Sequence, residues 1–236
     1  LRVTTKNYNP WPLGQIPKKH QRPELDVLRE KGYPIQDPRD AVDLFEKTIA
    51  NFAGSKYAVS VDCCTHGLFL CLKYLEACGT ITIPARTYAS VPMQILHAGC
   101  KLEFENIKWF NKYQLKPYPI WDCAIQFTEG MYQEGFEVLS FQIKKTIPIG
   151  RGGMILTDDE NAYRWLKKAS YDGREVNTPY EDDDFEILGW HFYMTPEDAA
   201  RGLLLFEDSQ KINKPSVENP YEHYSDLSKK KVFKNE

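Results

Sequence analysis

From Asp37 onward the chain switches repeatedly between two hydrophobic periods, and that switching limits the folds open to it. In DPRDAVDLFEKTIANFAG the residues Ala41, Leu44, Phe45, Thr48, Ile49 and Phe52 recur at three and four, one face of a helix that Gly54 ends. KYAVSV then reads as a strand, HGLFLCLKYLEACG as a buried helix closed by Gly79, and TITIPA as a strand. YASVPMQILHAG is a helix and KLEFENI a strand. After a looser aromatic section, PYPIWDCAIQF has a strand-like centre, and EVLSFQI and GGMILT follow as two strands. DDENAYRWLKKAS is a helix with acids in its first turn. TPEDAARGLLLFED opens with Thr195 as N-cap, Pro196 at the first helical position and two acids. Strands alternating with helices predict an α/β fold, a three-layer sandwich around a mainly parallel central sheet. Ligands of such sheets sit at the carboxyl ends of strands, where helices begin. The loops CCTHG, PARTYAS, WDCAIQ and SFQIKKTIPIGRGGM are therefore the candidate site.

Around this block the chain is more polar. Residues 1–37 form a Pro-rich arm with one helix near PELDVLREKG, residues 38–208 the main domain, and residues 209–236 a polar, Lys-rich arm. A chain of 236 residues can bury a substantial core. The net charge of −3 gives no reason to expect nucleic acid or an anionic membrane as partner. The longest apolar run, Leu203 to Phe206, is too short to span a bilayer, and the basic N-terminal residues include no apolar signal-peptide core. Cys63, Cys64, Cys71, Cys78, Cys100 and Cys123 fall inside apolar stretches without a C-x-x-C pair. They read as small buried hydrophobes in a reducing compartment, against disulfides or a metal site. The expected location is the cytoplasm.

The most puzzling stretch is SFQIKKTIPIGRGGM, where two lysines interrupt what is otherwise a buried hairpin. Taken alone, it reads better as a solvated basic turn. Set beside the other three loops, it resembles the DegT/DnrJ/EryC1/StrS family of sugar aminotransferases. That family's pattern S-F-x-x-x-K, followed five residues on by G-x-G-G, falls on Ser140, Phe141, Lys145, Gly150, Gly152 and Gly153. The resemblance covers roughly residues 40–206 in order. It implies the large domain of an aspartate aminotransferase-like, pyridoxal-phosphate (PLP) dependent transferase, with the C-terminal small domain largely absent.

The resemblance also assigns roles. Lys145, not Lys144, would attach PLP covalently, which requires an unprotonated amine and a desolvated setting, and would then move the substrate proton. Asp122 would pair with the ring nitrogen and keep it protonated. Cys64 and Thr65 at a helix N-terminus, with Ser140, would hold the phosphate. Tyr88 would stack on the ring, and His191 would reach the phosphate of a neighbouring subunit. Each also has an ordinary structural reading: cap, core aromatic, strand hydroxyl or surface histidine.

Several positions depart from the pattern. The family's Gln or His three residues after the acid is Ile125 here, with Gln126 one place late. Its Gly before Thr65 is Cys64, its Asn is His191, its Arg is Tyr193, and its Glu between the glycines is Arg151. The stretch from Ile107 to Trp121 is short and lacks a strand–helix unit. The expected activity is transfer of an amino group from glutamate or glutamine to a keto-sugar, nucleotide-linked, by a homodimer. The alternative is a degenerate relative that binds PLP or a sugar nucleotide as a regulatory or assembly partner. A serine hydrolase built on Ser140 is disfavoured because no G-x-S-x-G elbow exists.

Overall fold

Helices pack on both faces of one twisted sheet. The computed structural model describes residues 22–209 and 220–234; the remainder of the two expected arms lies outside the described residues. Six α-helices are present among them: α1 (Glu24–Glu30), α2 (Asp40–Ala53), α3 (Cys64–Tyr74), α4 (Ser90–His97), α5 (Glu160–Ser170) and α6 (Pro196–Ser209). Seven strands accompany them: β1 (Tyr57–Val61), β2 (Thr80–Pro84), β3 (Lys101–Glu105), β4 (Tyr113–Gln114), β5 (Ile120–Asp122), β6 (Phe136–Ser140) and β7 (Gly153–Thr157).

The helix punctuation read from sequence is present. Gly54 ends α2 in the left-handed region at φ 89°. Asp159 caps α5, accepting from the backbone N–H groups of Asn161 and Ala162. The Thr195 hydroxyl accepts from the Asp198 N–H at the start of α6. One boundary differs. Helix α3 stops at Tyr74 rather than running to Gly79, because Glu76 takes the left-handed turn (φ 47°) and Ala77 N–H closes back on Leu72 C=O at 2.9 Å.

The sheet runs β1-β7-β6-β5-β4, with β2 and β3 as a parallel pair beside it. Thr82 and Lys116 exchange two backbone bonds, 2.9 and 3.1 Å, which join that pair to the larger sheet just beyond β4. Within the five strands only β5 and β6 are parallel; β1/β7, β6/β7 and β4/β5 are antiparallel. The expectation of a mainly parallel sheet is corrected to a mixed one. The reason lies in the connections: β4 meets β5 through the turn LKPYP, too short for a parallel crossover, and the lysine loop between β6 and β7 folds back on itself, Phe141 bonding to Gly152 across its base. The short section before Trp121, read as irregular, thus supplies an antiparallel strand.

The three layers hold. Leu139, Met154 and Leu156 point from the sheet into a core shared with Leu28, Phe45, Ile49 and Leu203 of α1, α2 and α6. Val59, Val138 and Ile155 point the other way, into Leu68, Leu72, Ile95 and Leu166 of α3, α4 and α5. Every residue of β7 is buried, as a strand covered on both faces must be. All six cysteines are free, and four of them, Cys64, Cys71, Cys100 and Cys123, are buried. No helix among the described residues is long and apolar enough to cross a membrane.

Residues 220–234 lie against β3 and the loop after β2. The Leu227 N–H donates to Ala85 C=O at 2.8 Å, Arg86 donates to Tyr224 C=O at 2.8 Å, and the Tyr221 hydroxyl donates to Asn106 at 2.9 Å. Tyr221 and Leu227 are buried.

Candidate active site

Two adjacent parallel strands end together, and their last residues carry the chemistry. Asp122 closes β5 and Ser140 closes β6. The chain then forms the loop 141–152, pinned across its base by Phe141 N–H to Gly152 C=O at 2.9 Å and Gly150 N–H to Phe141 C=O at 3.2 Å. Lys144 is exposed, whereas Lys145 is half-buried and donates its backbone N–H to Gln142 C=O at 2.8 Å. The Lys145 charge acts on both Asp122 and Cys64.

The start of α3 faces the same place. Any Cβ on Gly153 would sit 2.5 Å from the Cys64 nitrogen, so a glycine lets β7 approach the helix terminus this closely. Thr65 Oγ lies 2.7 Å from the Ser90 hydroxyl at the start of α4, which brings a second hydroxyl to the helix-terminal surface.

Asp122 is 5 % exposed, and its partners are neutral donors. Tyr113 O–H donates to Oδ2 at 2.6 Å, Ala124 N–H donates to Oδ1 at 2.9 Å, and the Cys64 thiol approaches Oδ1 at 3.9 Å. Burial raises the Asp122 pKa above the usual carboxylate value, and the hydrogen bonds from Tyr113 and Ala124, the Lys145 charge and the thiol only partly offset it. Burial likewise pushes the Cys64 thiol and the Tyr113 phenol well up, and nearby Asp122 adds to both. Tyr113 therefore keeps its proton and donates.

Gln126, Ser140 and Lys145 line one small cavity of about 10 Å³ together with Ile125, room for about one water. Gln126 Oε1 is buried there without a hydrogen-bond partner, a state that costs about 1–3 kcal/mol until a donor meets it. Ser140 accepts only a long 3.4 Å contact from the Gln142 N–H.

Two expected site residues are exposed. Tyr88 is 62 % exposed. His191 is exposed, paired to Asp172 at 3.0 Å and set edge-on to Tyr193. Its outward position follows from alternation: Trp190 and Phe192 pack on the core, so residue 191 between them faces out. In the other direction, Tyr113, Thr87 and Ser90 belong to the site and were not singled out from sequence. Thr87 and Ser90 fall inside PARTYAS, a loop already marked; Tyr113 had no local signal.

Asp62, Cys63 and His66 place their potential ligand atoms within 4.8 Å of one another, a grouping their spacing did not announce. Their partners make it an ion-pair cluster. Asp62 binds His66 at 2.6 Å and Arg151 at 2.7 Å. Burial opposes charge on His66, but hydrogen bonds to Asp62 and Cys63 outweigh it and raise its pKa to about 9. Arg151, which stands where the resembled family has Glu, thus has a partner of its own.

The α/β sandwich thus presents a buried acid at the end of β5 and a lysine in the loop after β6, both facing a helix N-terminus, and the family match and the structural likenesses place it in the aminotransferase class of fold. The DegT/DnrJ/EryC1/StrS aminotransferase family matches residues 22–122 and 130–227, and the chain belongs to that family. Spore coat polysaccharide biosynthesis protein SpsC of Bacillus subtilis (strain 168) is 35% identical over 105 residues, 43% of this chain and 26% of SpsC. The sugar aminotransferase CalS13 from Micromonospora echinospora superposes with a TM-score of 0.65 at 18% identity, over 80% of this chain and 65% of its own. DesI, solved in the presence of its TDP-sugar product, gives 0.62 at 18% identity, over 84% and 60%. These likenesses establish the fold, and the chain spans less than two thirds of each relative's length.

Proposed function

We propose that this chain is a PLP-dependent aminotransferase that transfers an amino group from glutamate or glutamine to a nucleotide-linked keto-sugar. The observation that carries the reading is a half-buried Lys145, in the loop that follows β6, whose charge acts on the buried Asp122 at the end of the adjacent parallel strand β5, beside the N-terminus of α3. The donor set suits the cofactor. A carboxylate surrounded by neutral donors and raised by burial is a fitting partner for a protonated ring nitrogen, and the unmet Gln126 Oε1 is an acceptor beside Lys145. The backbone N–H groups of α3, with Thr65 and Ser140, are suited to a phosphate; Cys64 contributes backbone, its side chain being turned to Asp122.

PLP, when bound, supplies the electron sink that lets an amine's α-proton leave. The chain's own residues do the rest. Lys145 attaches the cofactor and, once displaced, carries the proton at its Nζ. Asp122 holds the ring nitrogen in its charged form. The names of CalS13 and DesI support a sugar acceptor and, for DesI, a nucleotide-linked one. Exposed Tyr88 and His191 fit a homodimer whose second copy covers them.

Ile125 beside Lys145, where the resembled pattern has Gln or His, favours a second reading: a relative that binds PLP without turnover. One experiment separates the two. The protein is loaded with PLP, its visible band recorded with and without glutamate or glutamine, then reduced with borohydride and digested. Cofactor mass on Lys145 with a band that bleaches on adding donor supports the enzyme. Mass on Lys145 with an unresponsive band supports the second reading. No label on any lysine overturns both.

A further inference from the structure

Asp122 is the end of a buried chain of hydroxyls that the proposed chemistry has not yet used. Thr87, Tyr113 and Asp122 are 3, 4 and 5 % exposed. The Tyr113 oxygen lies 2.6 Å from Thr87 Oγ and 2.6 Å from Asp122 Oδ2. The proton count fixes the directions: a phenol has one proton, it goes to the carboxylate, and Thr87 therefore donates to the phenol oxygen. Both aspartate oxygens are then held from the protein side, Oδ2 by Tyr113 and Oδ1 by Ala124 N–H.

We propose that Tyr113 is a positioning residue: its hydroxyl fixes the orientation of the Asp122 carboxylate and stabilises its ionised form, so that Asp122 can hold the cofactor's ring nitrogen protonated. The inference rests on the function proposed above and deepens it. A buried carboxylate without a strong donor takes up a proton more readily, and an acid already protonated cannot keep a pyridine nitrogen charged. Charge-assisted O–H···O bonds at this distance are among the strongest available.

Tyr113 reaches Asp122 from β4, the strand that stands opposite it in register. Its ring is held edge-on by Trp109 at 4.8 Å, whose indole N–H donates to Arg86 C=O at 2.8 Å. A strand and an indole thus hold the phenol to the acid. Around Asp122 the groups that bear on its protonation are Cys64 from α3, Lys145 from the lysine loop, Cys123 beside it, Tyr113 from β4 and Tyr224 from the C-terminal segment.

Tyr113→Phe deletes the hydroxyl and keeps the ring. Two readouts test it. In the cofactor-free protein, carboxyl carbon NMR of Asp122 should show its pKa rising by about one unit or more in the variant. In protein loaded with PLP carrying a nitrogen-15 ring label, the ring-nitrogen signal should move toward the unprotonated position, while borohydride still fixes the cofactor to Lys145. Thr87→Val should move both readouts the same way by less, and serves if the Phe variant folds poorly. An unchanged Asp122 pKa, or a ring-nitrogen signal identical to wild type in either folded variant, overturns the inference. A wild-type protein that takes up no PLP overturns the functional reading and the inference with it; wild-type uptake with unresponsive variants overturns the inference alone.

Discussion

Adjacent lysines in one loop differ in burial, and the role proposed for Lys145 rests on that difference. Lys144 is exposed and Lys145 half-buried, and Lys145 alone of the two lines the cavity with Ile125, Gln126 and Ser140. Lys145→Ala is expected to abolish borohydride-fixed PLP with the melting temperature little changed, and Lys144→Ala to leave the label in place. Label persisting in Lys145→Ala would transfer the role to Lys144. The second prediction at this scale concerns His66, stacked on Phe192 at 3.7 Å and bonded to Asp62. Its pKa is raised to about 9 in the fold. The stabilisation is therefore complete below its unfolded pKa of about 6.5 and is lost as pH rises through about 9. Allowing for its partial exposure, urea melts should show about 1–2 kcal/mol lost over that window. His66→Gln should flatten that slope, and an equal slope in the variant would remove His66 as its source.

Among the elements, one ion pair ties three together. Glu46 of α2 accepts from the backbone N–H and hydroxyl of Ser60 on β1, each at 2.8 Å, and from Lys167 of α5 at 2.8 Å. Burial works against charge on Lys167, but Glu46 outweighs it and raises the ammonium pKa. Glu46→Ala removes the nearer carboxylate from the half-buried Lys167, leaving Asp43 at 3.8 Å, and leaves the Ser60 donors unmet; it is expected to cost about 2–4 kcal/mol, measured by urea unfolding. Adding Lys167→Met should recover part of that loss; a purely additive double variant would show that the pair is not coupled. The sequence made the elements themselves legible, since α2 carries its period and its glycine stop, and α5 and α6 their capping residues, in contiguous stretches. It did not make β4 legible, because two residues paired across a proline turn have no period to detect. The same limit hid Tyr113. Its partners Thr87 and Asp122 are 26 and 9 positions away, and only the sheet brings them together. Lys145, Asp122, Thr65 and Ser140 could be proposed from sequence because each lies in a contiguous motif, whereas the roles proposed for the exposed Tyr88 and His191 depend on what covers them.

For the molecule as a whole, the question is how the C-terminal segment 220–234 bears on a site built by the sheet. Leu227 is 4 % exposed and bonded to Ala85, Arg86 reaches Tyr224, and Tyr224 stacks on Trp109, the ring that supports Tyr113. The segment thus buttresses the PARTYAS loop and, through Trp109, the acid at the end of β5. The opposite layer, α1, α2 and α6, has its own core around Phe45 and Leu203. Leu227→Ala should cost about 2–4 kcal/mol of docking for the segment, felt locally rather than throughout the chain. Hydrogen exchange should rise at the amides of Ala85, Arg86 and Thr87 and stay unchanged along α2 and α6. PLP affinity should fall while the label remains on Lys145, because the segment supports the loop and does not supply the attaching amine. Faster exchange spread equally over both layers would show a globally weakened fold instead, and unchanged exchange at Ala85 would show that the segment gives that loop no support.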